Sequence, residues 1–200
     1  MKKTLTVLLA LVLVIAMSVA GTMAYLTSTD SVTNSFTVGK VAITLDEAKV
    51  NEYGELDVTA TGRVKANEYK LIPGHSYTKD PIIHVAADSE DCYLFVKVED
   101  GLAGIEAATT IADQLKANNW KAVEGVANVY VYAKGTDAKT AVPASKTATD
   151  VPVFGSFTLT GTASVADYAN KQIKVTAYAI QADGFDGKTP AAIWGDAGFT

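Results

Sequence analysis

Three observations predict a mainly β protein: about eight short stretches of strand-like pattern, a single helical pattern inserted mid-chain, and no regular alternation of strand and helix patterns. The expected fold is a jelly-roll-type antiparallel β-sandwich with one inserted helix, preceded by a cleaved signal-peptide helix. The chain divides into residues 1–24 as signal peptide, 25–35 as an extended arm and 36–200 as the β-sandwich domain.

In the leader, Lys2 and Lys3 supply a positive start, Leu5 to Ala20 is an uncharged apolar run, and small residues follow. Small-x-small spacing allows cleavage after Ala20 or after Ala24. A retained membrane helix competes, because Leu5 to Ala24 reaches the ~20 residues that a bilayer requires. The polar turn at Thr27-Ser28-Thr29-Asp30, with no basic stop-transfer cluster behind it, favours cleavage and leaves no stable membrane anchor. The expectation is a secreted protein that meets a signal peptidase during export.

The 200 residues carry 17 basic and 22 acidic side chains, a net charge of −5. Loss of Lys2 and Lys3 with the leader leaves 15 against 22, a net −7. Such a surface repels nucleic acid and anionic lipid, so no nucleic-acid partner is expected. Cys92 is the single cysteine, which excludes an internal disulfide and leaves core packing to hold the domain.

Tyr25 to Asn34 is polar, rich in Thr and Ser, and reads as an extended arm. Phe36 and Val38 then share one parity, and Val41, Ile43 and Leu45 take the other after Gly39-Lys40, as at a bulge or a strand that changes sheets. A hydrophilic excursion covers Asp46 to Glu55. Leu56, Val58 and Ala60 alternate next, and Val64, Ala66, Tyr69 and Leu71 continue weakly to the Pro73-Gly74 turn. Pro81 opens a strand over Ile82 to Ala86, and the polar turn Asp88 to Asp91 leads into a two-sided core strand from Cys92 to Val98. Ile105, Ala108, Ala112 and Leu115 have helical spacing, with Asn118 and Asn119 as breakers. Strands follow over Val126 to Ala133, Val153 to Thr160 and Gln172 to Ala182, with a low-complexity loop from Lys134 to Asp150.

Catalytic signatures are wanting. The two histidines, His75 and His84, stand in a turn and a strand, and no His-Glu-x-x-His helix joins them to a zinc site. The acidic runs Asp88-Ser89-Glu90-Asp91 and Asp183-Gly184-Phe185-Asp186-Gly187 read as solvated turns, since the second has Trp194 where an EF-hand loop carries its last glutamate. Cys92 reads as a buried core residue without a base beside it. No catalytic residue, cofactor or metal ligand is expected, and no enzymatic activity.

Several segments in order resemble the camelysin/TasA-like family of secreted Gram-positive proteins. They are Gly21-Thr22-Met23-Ala24-Tyr25-Leu26-Thr27, Asn34-Ser35-Phe36-Thr37-Val38-Gly39, Leu45-Asp46-Glu47, Ile72-Pro73-Gly74, Lys79-Asp80-Pro81, Glu90-Asp91-Cys92-Tyr93-Leu94, Val96-Lys97-Val98 and Ala177-Tyr178-Ala179-Ile180-Gln181-Ala182. The resemblance implies cleavage between Ala24 and Tyr25 by a SipW-type peptidase. It also implies a jelly-roll domain in the extracellular biofilm matrix or at the cell surface. TasA-like members of the family polymerise into fibres, and in that picture one subunit's N-terminal segment inserts as a strand into the next. Here the donor would be Tyr25, Leu26, Thr27, Ser28, Thr29, Asp30, Ser31, Val32, Thr33, Asn34, Ser35 and Phe36, and the partner a second copy or a homologous matrix subunit. Two alternatives remain: a secreted binding module or adhesin, with Tyr130, Tyr132 and Trp194 as stacking surfaces, and a camelysin-like metalloprotease.

Overall fold

The strand Cys92–Asp100 (β4) organises the molecule because both of its faces are apolar. Cys92, Leu94, Val96 and Val98 enter one core, whereas Tyr93 and Phe95 enter a second on the opposite side. A strand of period 2 with hydrophobic residues at both parities needs cover above and below. A computed structural model describes residues 40–107 and 109–200, and these lie in a compact unit spanning Gly39–Thr200. The leader, the cleavage point at Ala24 and Tyr25, the donor segment Tyr25 to Phe36 and the first strand positions Phe36 and Val38 lie outside the described residues.

The described part is mainly β, with antiparallel sheets and a few short helices. β1 (Ile43–Asp46), β3 (Ile82–Val85) and β7 (Thr149–Pro152) form a three-stranded sheet in the order β1-β3-β7. Ile43 stands opposite Val85, and Ile82 opposite Pro152. β2 (Ser76–Thr78) pairs with β8 (Ser156–Thr158). A four-stranded sheet runs β5 (Trp120–Ala122), β6 (Val129–Tyr132), β4 and β9 (Ile173–Gln181). The first core joins Ile83, Val85 and Val151 of the three-stranded sheet to Leu94 and Val96 of β4, with Tyr77 and Phe157 stacked at 4.9 Å. The second core lies on the far face of β4, where Ile193 and Trp194 of a C-terminal helix cover Phe95 and Val131. Among the described residues no helix is long and apolar enough to cross a membrane.

Several sequence expectations change. The described residues contain three helices, α1 (Ile111–Ala117), α2 (Val165–Tyr168) and α3 (Pro190–Asp196), where one was expected. α1 starts at Ile111 because Thr110 caps it: Thr110 Oγ1 accepts from the Asp113 amide, and the Asp113 carboxylate accepts from the Thr110 amide. Ile105 therefore lies in the preceding turn. Leu56, Val58 and Ala60 form no strand. The Asp57 carboxylate accepts from both the amide and the hydroxyl of Thr59, so local side-chain bonds take the backbone there, and Val58 is 93% exposed. Val64 to Leu71 contributes only a bridge between Val64 and Glu47, and the strand expected over Val153 to Thr160 shrinks to β8. The last residues of the expected Lys134 to Asp150 loop enter β7. Gly54 is required where it stands: its φ is +78°, and a Cβ there would meet the Tyr77 Cα at 2.7 Å.

Candidate functional site

Among the described residues β9 is the outermost strand of its sheet and bonds to β4 alone. Gly101 N donates to Gln172 O and Ala182 N donates to Asp91 O, which fixes the parity of the ladder. In an antiparallel pair the bonded residues alternate, so positions 174, 176, 178 and 180 turn their backbone groups to β4. Ile173, Val175, Ala177, Ala179 and Gln181 turn N–H and C=O to the open side. Ile173, Val175, Ala177 and Ala179 also pack against the first core, while Tyr178 and Ile180 pack against the second. All six are nonetheless half-buried, whereas the neighbouring residues Cys92 to Val96 are buried throughout. A nine-residue edge with apolar side chains on both faces is what folded proteins ordinarily shorten, charge or cover.

Beside the first half of β9 a groove of about 790 Å³ opens towards the end of β1. Ile173 and Val175 form one wall, Leu45, Tyr69 and Leu71 another, and Phe157 also lines it. Polar contacts hold the loop that builds the second wall. Arg63 pairs with Asp46 at 2.5 Å and with Asp80 at 3.1 Å, and Lys79 pairs with Glu47 at 2.6 Å. Asn67 Oδ1 accepts from the Val50 amide, and Tyr77 Oη accepts from the Ile72 amide.

Ala24, Tyr25 and the rest of the donor segment lie outside the described residues, so the structure pairs none of them with this edge. His75 Nε2 contacts the Tyr53 carbonyl oxygen at 2.9 Å. The His84 ring lies between Asp150, 2.6 Å from Nδ1, and Asp46, 2.9 Å from Nε2. Both of its nitrogens are engaged with carboxylates that lie apart in sequence, an ion-pair arrangement that no local spacing announces. Among the described residues no three His, Cys, Asp or Glu side chains are grouped to hold a metal ion. Of the two acidic turns, Asp91 accepts from the Ala144 amide and Asp186 from the Tyr93 hydroxyl. Cys92 is buried, as its strand pattern predicts, and burial, then the Asp91 charge, push its thiol up to about 11. Trp194 is buried against Phe95, Tyr178 and Phe199, and Tyr132 packs edge-on against Trp120, so these aromatics serve packing. The groove walls and the β9 edge, which no described strand pairs, were not singled out from sequence. Apolar residues at both parities of Ile173 to Ile180, next to the equally two-sided Cys92 to Val98, are the signal that could have found them.

No family model matches the chain, nor does any curated protein or solved structure. What the site does follows from its own geometry.

Proposed function

We propose that this chain is a secreted structural protein of an extracellular matrix or cell surface, self-assembling into fibres by N-terminal donor-strand exchange. The observation that carries this reading is the edge of β9, which no strand among the described residues pairs: outward backbone groups at alternate positions and half-buried apolar side chains on both faces. An extended segment from a second copy of the chain would pair those groups and cover those side chains at once. The segment Tyr25 to Phe36 suits the role. Thr27, Thr29, Ser31, Thr33 and Ser35 share one parity, and Leu26, Val32 and Phe36 the other, so it offers one polar and one partly apolar face. The fold that belongs to this reading is a jelly-roll-type sandwich, supported by the antiparallel three- and four-stranded sheets that share a core. The resemblance to camelysin/TasA-like proteins and the leader ending at Ala24 agree with it. No enzymatic step is part of the proposal.

The test compares two forms of the chain, residues 25–200 and 37–200, by sedimentation and negative-stain microscopy. Fibres from the longer form alone, blocked by added peptide of residues 25–36, are the expected result. Two folded proteins that stay equally monomeric would overturn it.

A further inference from the structure

Glu47, Asn67 and Lys79 meet beside the groove in an arrangement that exceeds an ion pair. Glu47 is 4% exposed and the Lys79 side chain 12%. One carboxylate serves two nitrogens: Glu47 Oε2 accepts from Lys79 Nζ at 2.6 Å, and Glu47 Oε1 accepts from Asn67 Nδ2 at 3.1 Å. Asn67 is fixed at its other positions, because Oδ1 accepts from the Val50 amide at 3.0 Å and Nδ2 also donates to the Ala48 carbonyl at 2.8 Å. The backbone of Glu47 is held in turn by two hydrogen bonds with Val64. A nucleophilic amine, an amide carbon whose oxygen already receives an N–H, and a shared carboxylate able to pass protons are the parts an acyl transfer needs.

We infer that Lys79 and Asn67 form an intramolecular isopeptide bond after folding, with Glu47 as the proton carrier. Lys79 Nζ gives a proton to Glu47 Oε2, and the neutral amine attacks Asn67 Cγ. As the Nζ–Cγ bond forms, charge develops on Oδ1 and is met by the Val50 N–H. Glu47 delivers its proton to Nδ2 and takes one from the new Nζ–Cγ centre. The Cγ–Nδ2 bond then breaks, and ammonia leaves, carrying off as ammonium the proton that Glu47 retains. Atoms and charge balance without oxidant, metal or co-reactant.

The product ties the 65–71 wall of the groove to the residue between β2 and β3, a covalent staple in a domain whose single cysteine allows no disulfide. The inference is independent of the assembly reading and survives if no fibres form.

Peptide mapping of the full chain, purified folded from the cells that make it, tests it directly. Trypsin acting on an unlinked chain releases residues 66–70 and 71–79 as separate peptides. The expected product is a branched peptide joining residues 66–70 to 71–97, uncut at Lys79 and lighter by one ammonia. It is absent from Glu47→Gln and Lys79→Arg variants. Separate 66–70 and 71–79 peptides from the folded parent overturn the inference even if both variants fail to fold. An ammonia loss at Asn67 without the branch overturns it equally.

Discussion

Burial, then the charge of Asp100, push the Glu106 carboxyl up to about 7, although the Ile111 amide donates to it and pulls the other way. A carboxyl raised in the folded state keeps a proton that the unfolded chain releases near 4.5, so stability falls as pH rises from there through about 7. His84 acts in the same sense by another route. Burial opposes its charged form, but hydrogen bonds and charge from Asp46 and Asp150 outweigh burial and raise its pKa above 6.5. Its contribution is present in full below 6.5 and is lost as pH climbs through the raised value. Asp46 sets the acid limit. Burial works against its charged form, yet His84 and Arg63 lower its pKa below 3.8, and that contribution disappears as pH falls through the lowered value. Thermal melts should therefore show greater stability at about pH 5.5 than at about pH 8.5. Glu106→Gln, which keeps an acceptor for the Ile111 amide, should stabilise the protein at about pH 8.5 and change little at about pH 4. A variant less stable than its parent at the alkaline end would overturn this assignment. None of these pairings is legible in sequence, because His84 lies 38 residues from Asp46 and 66 from Asp150. The same holds for Glu47, which lies 32 residues from Lys79 and 20 from Asn67.

At the level of elements, helix α1 shows what a cap does. Its seven residues are too few to persist alone, and stability comes from Ile111 and Leu115 in the core together with the Thr110–Asp113 box. Leu115→Ala should cost about 2–5 kcal/mol and Thr110→Ala about 1 kcal/mol, read by urea unfolding of the folded chain. If Leu115→Ala costs less than Thr110→Ala, the helix is not anchored through its buried face. The cap was present in the sequence, but hydrophobic spacing alone extended the helix back to Ile105. α3 carries a similar signal, Thr189 as N-cap before Pro190, and its apolar Ile193 and Trp194 close the second core. The long, largely apolar strands β4 and β9 were legible in outline. The three-residue strands β2 and β5 were not, because so short a stretch has no period to detect. β7 was hidden for a different reason: Thr149 to Pro152 carries one buried apolar residue, Val151, and Pro152 is tolerable because β7 is an edge strand.

For the whole molecule, the two cores have different guards. The second is closed by α3 and the C-terminal residues, where Trp194 and Phe199 pack at 5.3 Å. The first takes side chains from β9, whose outer edge has no strand paired to it among the described residues, and the parity of that strand allows this edge to be altered without touching the sheet behind it. Ala177 turns its N–H outward, whereas Thr176 bonds to β4 opposite Lys97. Ala177→Pro removes a donor that no described residue uses, and its ring projects where an incoming strand would lie. Thr176→Pro removes a bond that the sheet already has. In residues 25–200, Ala177→Pro should leave a folded protein with the parent's circular dichroism and a modest loss of stability, yet abolish fibres. Thr176→Pro should lose the fold before assembly can be scored, because it removes a ladder bond in the pairing with β4. Fibres of undiminished length from folded Ala177→Pro would mean that assembly runs through another edge, and β1 or β7 of the three-stranded sheet would then be the place to repeat the substitution. Loss of fibres from Ala177→Pro with an unchanged monomer would locate the acceptor on the one long strand whose outer backbone groups the described fold leaves unpaired.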